Sequence, residues 1–425
     1  MFRSDTFLIY MDNYRRDFLV SNVIKEYLEG KGHCVFLTSR KNINFFSSYL
    51  KCDNFIFITN VFSPPSKKII SKIIDKNIII IDAEGAQTSE RCSYFYTYFQ
   101  NIKKNMNFFY PRAKKIFVWN NNVKNFLINN NLAEKNKVDV VGSPKLSILS
   151  YLDKGNNNEN KTIGFISRFV GTNDFLNRST LESIVTKHYK NDEFIYSCLG
   201  EVESIHIFLN IIDKIIEKTN YLISIRPHPN ENFSAWKILL KNFPDRIFLT
   251  DPKEDLIEWL MNIDQIVCTP STSMVEPIVF NKKVTSIHKM LNDNKNKIYY
   301  EQSLGGLLEK VHSPENIQDL YDCLIHDRPC LPAKSENFSI VMKKYYNFEN
   351  LNTYNGIKKI INYFNLNKGT FKTKLIYQLI IYFFINFYDF LIIKIKKYKN
   401  LYNHNEYNDY NEFTSKKRSL YKLIK

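Results

Sequence analysis

Short apolar runs alternate with longer amphipathic stretches over about the first 290 residues, and this alternation restricts the fold more than any other feature. It is typical of β-α units, in which helices cover a parallel sheet. The pattern predicts six strands, at 7–11, 34–38, 55–59, 78–82, 116–119 and 138–141. It then predicts five more, at 162–167, 222–226, 247–250, 265–268 and 284–288. We therefore expect an α/β protein with two Rossmann-like domains.

A polar run divides the two series of strands. It has the sequence Gly-Asn-Asn-Asn-Glu-Asn and occupies 155–160, soon after the sixth predicted strand. Such a run is typical of a connection between domains, and 425 residues suffice for two domains of ordinary size. We predict one domain at 1–150, a second at 151–365 and a tail at 366–425.

The tail differs from the rest of the chain in charge and hydropathy. It holds 12 basic and 4 acidic residues, about half of the chain's excess of 16 positive charges. Its apolar run at 375–393 is at the lower limit of a membrane span, and Gln378, Asn386 and Asp389 interrupt it. Flanking lysines and several tyrosines favour a basic amphipathic helix on an anionic membrane surface. A helix packed on the N-terminal domain and a true span are the alternatives.

The cysteines and the N-terminal residues indicate in which cellular compartment the protein is found. The seven cysteines are scattered without a Cys-x-x-Cys pair, so neither a disulfide framework nor a zinc site is predicted. Charged residues interrupt the first apolar stretch, which argues against a secretory signal. We expect a cytoplasmic protein that associates peripherally with the inner membrane.

Cations follow two of the predicted strands of the second domain. Arg226 ends the strand at 222–226, and His228 follows it between two prolines that stiffen the backbone. Open α/β sheets bind ligands at the carboxyl ends of their strands. His228 there could donate to a phosphate oxygen, and Arg226 could supply a fixed positive charge. Arg168, after the strand at 162–167, is a weaker candidate for a pyrophosphate or sugar contact. A His-Pro turn without a ligand is the alternative.

A group of hydroxyl residues follows the predicted strand at 265–268. Ser271, Thr272 and Ser273 fall where the next helix is expected to begin, so hydroxyls and unpaired N–H groups favour an anion there. Glu276, one turn into that helix, is placed to accept hydrogen bonds from vicinal hydroxyls such as those of a ribose. An ordinary helix N-cap with a capping glutamate is the alternative.

The first domain presents carboxylates at the end of the strand at 78–82. Asp82 and Glu84 are separated by one residue, and Gly85 follows them. A carboxylate at this edge could act as a general base for a hydroxyl, with burial raising its pKa. We favour Glu84, because Gly85 beside it would permit close approach of a substrate, and place Asp82 second. Helix capping or a polar loop is the alternative.

Motifs that define several other enzyme classes do not occur. The sequence has no Walker A motif, no Gly-x-Gly-x-x-Gly after a strand, no Gly-x-Ser-x-Gly elbow and no His-Glu-x-x-His. NTPase, dinucleotide oxidoreductase, α/β-hydrolase and zincin functions therefore lack their defining residues. No convincing Asp-x-Asp metal motif ends a strand, so we predict no obligatory metal and no cofactor. The positive charge alone suggests a nucleic-acid binder, and because no binding motif accompanies it we predict no nucleic-acid partner.

Together these motifs resemble those of glycosyltransferases of the GT-B architecture. Their order is similar to that of bacterial sialyltransferases and polysialyltransferases, with an acidic-Gly segment at 82–85, a His-Pro pair at 228–229 and Ser-Thr-Ser at 271–273. Ala83 stands where the sialyltransferase motif has a second acid.

The likeness to a broader family of bacterial surface carbohydrate biosynthesis proteins looks closer still. It covers about residues 75 to 290 and rests on the segments 141–144, 225–236 and 271–276.

The resemblance implies a GT-B fold with two domains facing a cleft, the first on the acceptor side and the second binding a nucleotide sugar. In the sialyltransferases an acid is the general base, while the His and the hydroxyls contact the phosphate of the departing CMP. Those roles fall here on Glu84, on His228, and on Ser271 with Thr272 or Ser273.

The resemblance further implies a metal-independent enzyme that moves a nonulosonic acid from a CMP-linked donor to a lipopolysaccharide or capsule glycan. A polyol-phosphate transferase of the teichoic type and a nucleotide-sugar 2-epimerase are alternatives with the same fold.

Overall fold

The computed structural model describes most of the chain up to residue 364. It covers residues 5–152, 161–182, 185, 192–250, 256–291, 311–326, 342–347 and 355–364, except single positions at 41, 51, 175, 177, 229, 270, 271 and 281. The described residues form two compact units. Those up to Leu152 and from Met342 onward form the first unit, and those between them form the second.

The first unit is built on a parallel sheet of six strands in the order β2-β1-β3-β4-β5-β6. All six predicted strands are confirmed. The largest difference is in β5, which begins three residues earlier than predicted, because Lys114 and Lys115 interrupt its apolar pattern. The strands are β1 Thr6–Met11, β2 Cys34–Ser39, β3 Asn54–Thr59, β4 Asn77–Asp82, β5 Ala113–Val118 and β6 Val138–Val140.

Helices connect these strands and cover the sheet. The first is capped reciprocally: the Asn13 side chain accepts from the Arg16 N–H, and the Asp17 side chain accepts from the Asn13 N–H. This cap fixes the start of the helix beside the carboxyl end of β1. The helices are α1 Tyr14–Gly30, α2 Ile43–Tyr49, α3 Lys67–Ser71, α4 Ser89–Tyr98, α5 Gln100–Phe109, α6 Asn121–Asn129 and α7 Pro144–Leu149.

The core of this unit explains why its strands are visible in the sequence. Ile78, Ile79, Ile80 and Ile81 of β4 are at most 4% exposed, so both faces of the strand are covered. A strand buried on both faces is a continuous apolar run rather than an alternating one. Each such side chain contributes about 1.5–3 kcal/mol when it is fully buried.

The second unit is built on a parallel sheet of five strands in the order β11-β10-β7-β8-β9. All five predicted strands are confirmed. The strands are β7 Thr162–Ile166, β8 Leu222–Arg226, β9 Ile247–Leu249, β10 Gln265–Cys268 and β11 Lys283–Ser286. The helices are α8 Asp192–Lys218, α9 Phe233–Asn242, α10 Leu256–Met261, α11 Val275–Val279 and α12 Ile317–Ile325.

The last described helix, α13 Gly356–Tyr363, belongs to the first unit, so the prediction that the second domain extends to residue 365 is wrong for this segment. The Ile357 N–H donates to Ser147 Oγ at 3.1 Å, and the Phe364 ring packs edge-on against Phe7 at 6.2 Å. The helix is strongly amphipathic, and its apolar face is buried against the first sheet and its helices. Because burial of this apolar face stabilises the helix, α13 packs on the first unit although it follows the second unit in the chain.

One described helix is long and apolar enough to cross a membrane by length and composition alone, at Ile195–Lys218 of α8. Phe208, Ile211, Ile212 and Ile215 on one side of it are fully buried, which is the pattern of a core helix packed on a sheet. The predicted membrane-associating tail at 366–425 lies outside the described residues.

Candidate active site

Polar side chains gather where neighbouring strands of the first sheet end. Asp12 follows β1, Asn60 follows β3 and Glu84 follows β4, and these three strands are adjacent in the sheet. Met11 pairs with Ile58 and Thr59 with Asp82, so the three loops start at the same edge. This is the edge at which open α/β sheets bind their ligands.

Glu84, the predicted general base, is held by two partners at this edge. The Arg16 guanidinium lies 2.6 Å from one carboxylate oxygen, and the Asn60 amide donates to the other at 2.5 Å. Burial alone would raise the pKa of Glu84, but the Arg16 charge and the Asn60 hydrogen bond hold this pKa below its ordinary value. The side chain is 49% exposed, so Glu84 is an accessible carboxylate of low basicity.

Asp82, placed second in the prediction, has the opposite properties. It is 1% exposed, and burial raises its pKa to about 7. Its Oδ1 accepts from the Glu84 N–H at 3.2 Å. A Cβ on Gly85 would lie 2.3 Å from Asp82 Oδ2 and 2.5 Å from the Trp119 ring. The glycine therefore permits close packing of Asp82 and Trp119, which differs from the predicted reason that it admits a substrate.

Sequence reasoning missed the arginine that organises this edge. The Arg16 guanidinium is 2.6 Å from Asp17, which is 1% exposed, and 3.6 Å from Asp12, in addition to its contact with Glu84. Arg40, at the end of β2, lies 3.1 Å from Asp12 and is 66% exposed. The signal was available, since each of these side chains stands within a few residues of a predicted strand end. The sequence alone does not show that these side chains contact one another in the folded protein.

In the second unit a buried glutamate ties two strand ends together. The Glu231 carboxylate accepts from Ser167 Oγ at 2.8 Å and from the Phe169 N–H at 3.0 Å, both after β7. It also accepts from the His228 N–H at 3.0 Å, after β8, and from Trp236 Nε1 at 2.9 Å. Glu231 is 1% exposed, and burial raises its pKa despite these donors. Sequence reasoning gave it no role, although it stands three residues after His228.

The result for His228 is a fixed orientation. Its backbone is held by Glu231, and its ring Nδ1 accepts from the Asn230 N–H at 3.1 Å. A backbone N–H can only donate, so the proton of the neutral imidazole lies on Nε2. The ring is half-buried at the strand end. The ring therefore lies directly after the carboxyl end of β8 with its proton on Nε2, and its contact with a phosphate stays a prediction.

A second buried glutamate holds the loop that carries Arg168. Glu201 of α8 accepts from the N–H groups of Gly171 and Thr172 at 2.9 and 2.8 Å. A Cβ on Gly171 would lie 2.7 Å from Cys198 Sγ, so this position requires glycine. Burial raises the pKa of Glu201 to about 7. Arg168 is exposed between two buried neighbours, and the loop around it is fixed from both sides.

The Arg226 side chain packs against a neighbouring aromatic ring instead of projecting from the strand end. Its guanidinium lies over the Trp259 ring at 5.6 Å, and Trp259 Nε1 donates to Ser224 Oγ at 2.8 Å. Gly164 of β7 makes room for this indole, because a Cβ there would lie 2.7 Å from it. Arg226 is the last residue of β8, two residues before His228.

The predicted hydroxyl segment is described only in part. Ser271 and the side chain of Thr272 lie outside the described residues. Thr272–Met274 forms a 3₁₀ turn that runs directly into α11 at Val275, so the helical segment begins among the predicted hydroxyl residues. A tighter turn of this kind often precedes a helix. Ser273 is half-buried in that turn.

Two further polar residues accompany this segment. Thr269 directly follows β10, is 4% exposed, and its Oγ1 has no hydrogen-bond partner among the described residues. Glu276 is half-buried in the first turn of α11, as predicted. Because β10, β7 and β8 are adjacent, Thr269, Arg168 and His228 follow three neighbouring strand ends.

Solved structures of low sequence identity share this fold. The chain matches a variant of the wall teichoic acid polymerase TagF with a TM-score of 0.52 at 12% identity, covering 84% of this chain and 89% of that chain. It matches a TagF variant soaked with CDPG with a TM-score of 0.51 at 10% identity, covering 84% and 87%.

A UDP-GlcNAc 2-epimerase from Neisseria meningitidis bound to UDP-GlcNAc gives a TM-score of 0.48 at 12% identity, covering 84% of this chain and 98% of that chain. No protein-family model and no curated protein sequence matches the chain. The predicted α/β fold of the GT-B type is confirmed.

Proposed function

We propose that this chain is a glycosyltransferase of bacterial surface-glycan synthesis, which moves a nonulosonic acid from a CMP-linked donor to a lipopolysaccharide or capsule acceptor. The observation that best supports it is the imidazole of His228, held at the edge of the second sheet with its proton on Nε2. A fixed N–H donor at this edge suits a phosphate oxygen of a nucleotide. The fold shared with a teichoic acid polymerase supports a role in surface glycans.

In the proposed reaction an acceptor hydroxyl attacks the anomeric carbon of the donor sugar. The new C–O bond forms as the bond from that carbon to the CMP phosphate oxygen breaks, and CMP leaves with the electron pair. His228 donates a hydrogen bond to the departing phosphate. The exposed charge of Arg168 and the buried hydroxyl of Thr269 are on adjacent loops and favour the same anion.

The hydroxyl proton must pass to a base, for which the first unit supplies two carboxylates. Glu84 is accessible but of lowered basicity, while Asp82 has a pKa of about 7 but is buried. We assign the base to Glu84, since a base must reach the hydroxyl it deprotonates. Asp82 then positions Glu84, because Asp82 Oδ1 accepts a hydrogen bond from the Glu84 backbone N–H.

The basic tail at 366–425 completes the proposal. Its lysines and tyrosines suit an anionic membrane surface on the cytoplasmic side. Attachment there would raise the local concentration of a lipid-linked acceptor.

A polyol-phosphate transferase of the teichoic type is the second candidate. The fold likeness to TagF, including a structure soaked with CDPG, favours it. Such an enzyme would use the same histidine and hydroxyls but would prefer a cytidine diphosphate compound.

Calorimetric titration of the full chain with CMP, CDP, UDP and GDP separates these candidates. We expect selective binding of CMP that is lost in His228→Ala and retained in His206→Ala, a control at an exposed histidine of α8. Preference for CDP would replace the first candidate by the second. Preference for UDP or GDP, or equal binding by the His228 variant, would contradict the assigned donor or the assigned site.

A further inference from the structure

Three side chains of different chemistry converge in the second unit. None of the three has a role in the proposed reaction: they are His312, which precedes α12, and Asp319 and Cys323, which stand four residues apart on one face of that helix. One possible ligand atom from each lies within 4.8 Å of the other two. Cys323 Sγ is 2.6 Å from His312 Nε2 and 3.9 Å from Asp319 Oδ1.

We propose that His312, Asp319 and Cys323 bind one divalent metal ion of borderline softness, such as Zn²⁺. Imidazole nitrogen, carboxylate oxygen and thiolate sulfur are the three ligand types that Zn²⁺ uses in proteins. Tetrahedral bonds of about 2.0–2.3 Å place ligand atoms about 3.5 Å apart. The sulfur-to-oxygen distance is already close to this value, and a small rotation of the imidazole opens the sulfur-to-nitrogen distance.

The ligands are held from outside the cluster, as a metal site requires. The His312 carbonyl accepts from the Ser286 N–H at 2.9 Å, which fixes its backbone to the end of β11. Asp319 Oδ2 accepts from the Glu315 N–H at 3.2 Å, and the Asp319 N–H donates to Asn316 Oδ1 at 2.9 Å. These two hydrogen bonds at the start of α12 occupy one carboxylate oxygen of Asp319 and leave the other on the side of Cys323.

Binding would replace a proton by the metal. The Cys323 thiol loses its proton to solvent as the sulfur-metal bond forms, so the ion joins His312 as a neutral ligand and Cys323 as a thiolate. The bound ion would tie α12 to the edge strand β11. Water or a further ligand would complete four-coordination.

Cobalt titration of the full chain tests the site. The protein is stripped with a chelator under reducing conditions and titrated with Co²⁺, whose thiolate complexes absorb in the near ultraviolet. We expect a charge-transfer band that saturates at one equivalent and is displaced by Zn²⁺. Zn²⁺ alone should raise the melting temperature of the stripped protein.

Variants locate the ion. Cys323→Ser and His312→Ala should lose the band, and Asp319→Asn should weaken Co²⁺ binding at least about tenfold. His326→Ala on the same helix and Cys34→Ser in β2 are matched controls that should keep it. Circular dichroism shows which variants remain folded, and Asp319→Asn provides the test if the cysteine variant does not fold.

A stripped protein that gives no band at stoichiometric Co²⁺, or a folded Cys323→Ser that keeps the band, would overturn the proposal. The three residues would then be a hydrogen-bonded Cys-His pair beside a helix cap. This result is independent of nucleotide binding, which is measured at His228.

Discussion

The two strand edges of this protein use carboxylates in opposite ways. At the first sheet, Glu84 and Asp17 are paired with the guanidinium of Arg16. At the second sheet, Glu231 and Glu201 are buried, and each accepts hydrogen bonds from two backbone N–H groups and from uncharged side chains. The first edge has an accessible charged carboxylate, Glu84. The buried carboxylates of the second edge fix the positions of the loops that follow β7 and β8.

Under the proposed function, this difference suits separate tasks at the two edges. A group that accepts a proton from a substrate must be exposed, as Glu84 is. A donor that stabilises a leaving group needs a fixed position, which Glu231 supplies to His228 through its backbone. Mutations at the second edge should therefore act on stability and on nucleotide binding together, and mutations at the first edge should act on stability and on the charge of Glu84.

The largest effect is expected for Glu231→Ala. It leaves the donors of Ser167, Phe169, His228 and Trp236 without their shared acceptor, in a site that is closed to water. We expect a loss of about 3–5 kcal/mol in the free energy of unfolding of the second unit. Urea denaturation followed by tryptophan fluorescence measures it. Glu258→Ala, at an exposed position of α10, is the control and should change stability by less than about 0.5 kcal/mol.

A smaller effect is expected for Arg16→Ala at the first edge. It removes the cation beside Asp17, which is 1% exposed, and should cost about 2–4 kcal/mol. It should also raise the pKa of Glu84, because burial then acts with less compensation. Carboxyl titration by NMR, with the glutamates labelled, checks this shift. If the pKa of Glu84 is unchanged in this variant, Arg16 stabilises the charge of Asp17 but not that of Glu84.

Gly85→Ala tests the packing beneath Glu84. The added Cβ would lie 2.3 Å from Asp82 Oδ2 and 2.5 Å from the Trp119 ring, so the loop must shift. We expect destabilisation by about 1–3 kcal/mol. Gly30→Ala is the matched control, because nothing lies within 4 Å of a Cβ at the end of α1, and it should be neutral or slightly stabilising. Equal melting temperatures for both variants would contradict the tight packing at Gly85.

The fold was predictable because its strands are buried on both faces. The run Ile78–Ile81 is visible without knowledge of its neighbours, and so are the candidates at strand ends, Glu84 and His228. The partners of these residues were not predictable. Glu231 accepts from the backbone N–H of Phe169, 62 residues earlier in the chain, and a backbone group carries no sequence signal. The packing of α13 on the first unit was not predictable either, since an amphipathic helix does not specify which surface will cover its apolar face.

The last effect concerns the pH dependence of stability, which has a separate source at each of the two edges. Burial raises the pKa of Asp82 and of Glu201 to about 7 in the folded protein. Between about pH 4 and pH 7 the unfolded chain has lost these protons while the folded chain keeps them, so stability falls as pH rises through this window.

Asp82→Asn should remove about 2 kcal/mol of this fall from the first unit between about pH 5 and pH 7, and Glu201→Gln a similar amount from the second. Urea midpoints at about pH 5 and pH 7 measure the two slopes, with the single variants as each other's control. A slope that survives both substitutions would place the titrating group elsewhere, with the buried Glu231 as the next residue to test, since burial raises its pKa too.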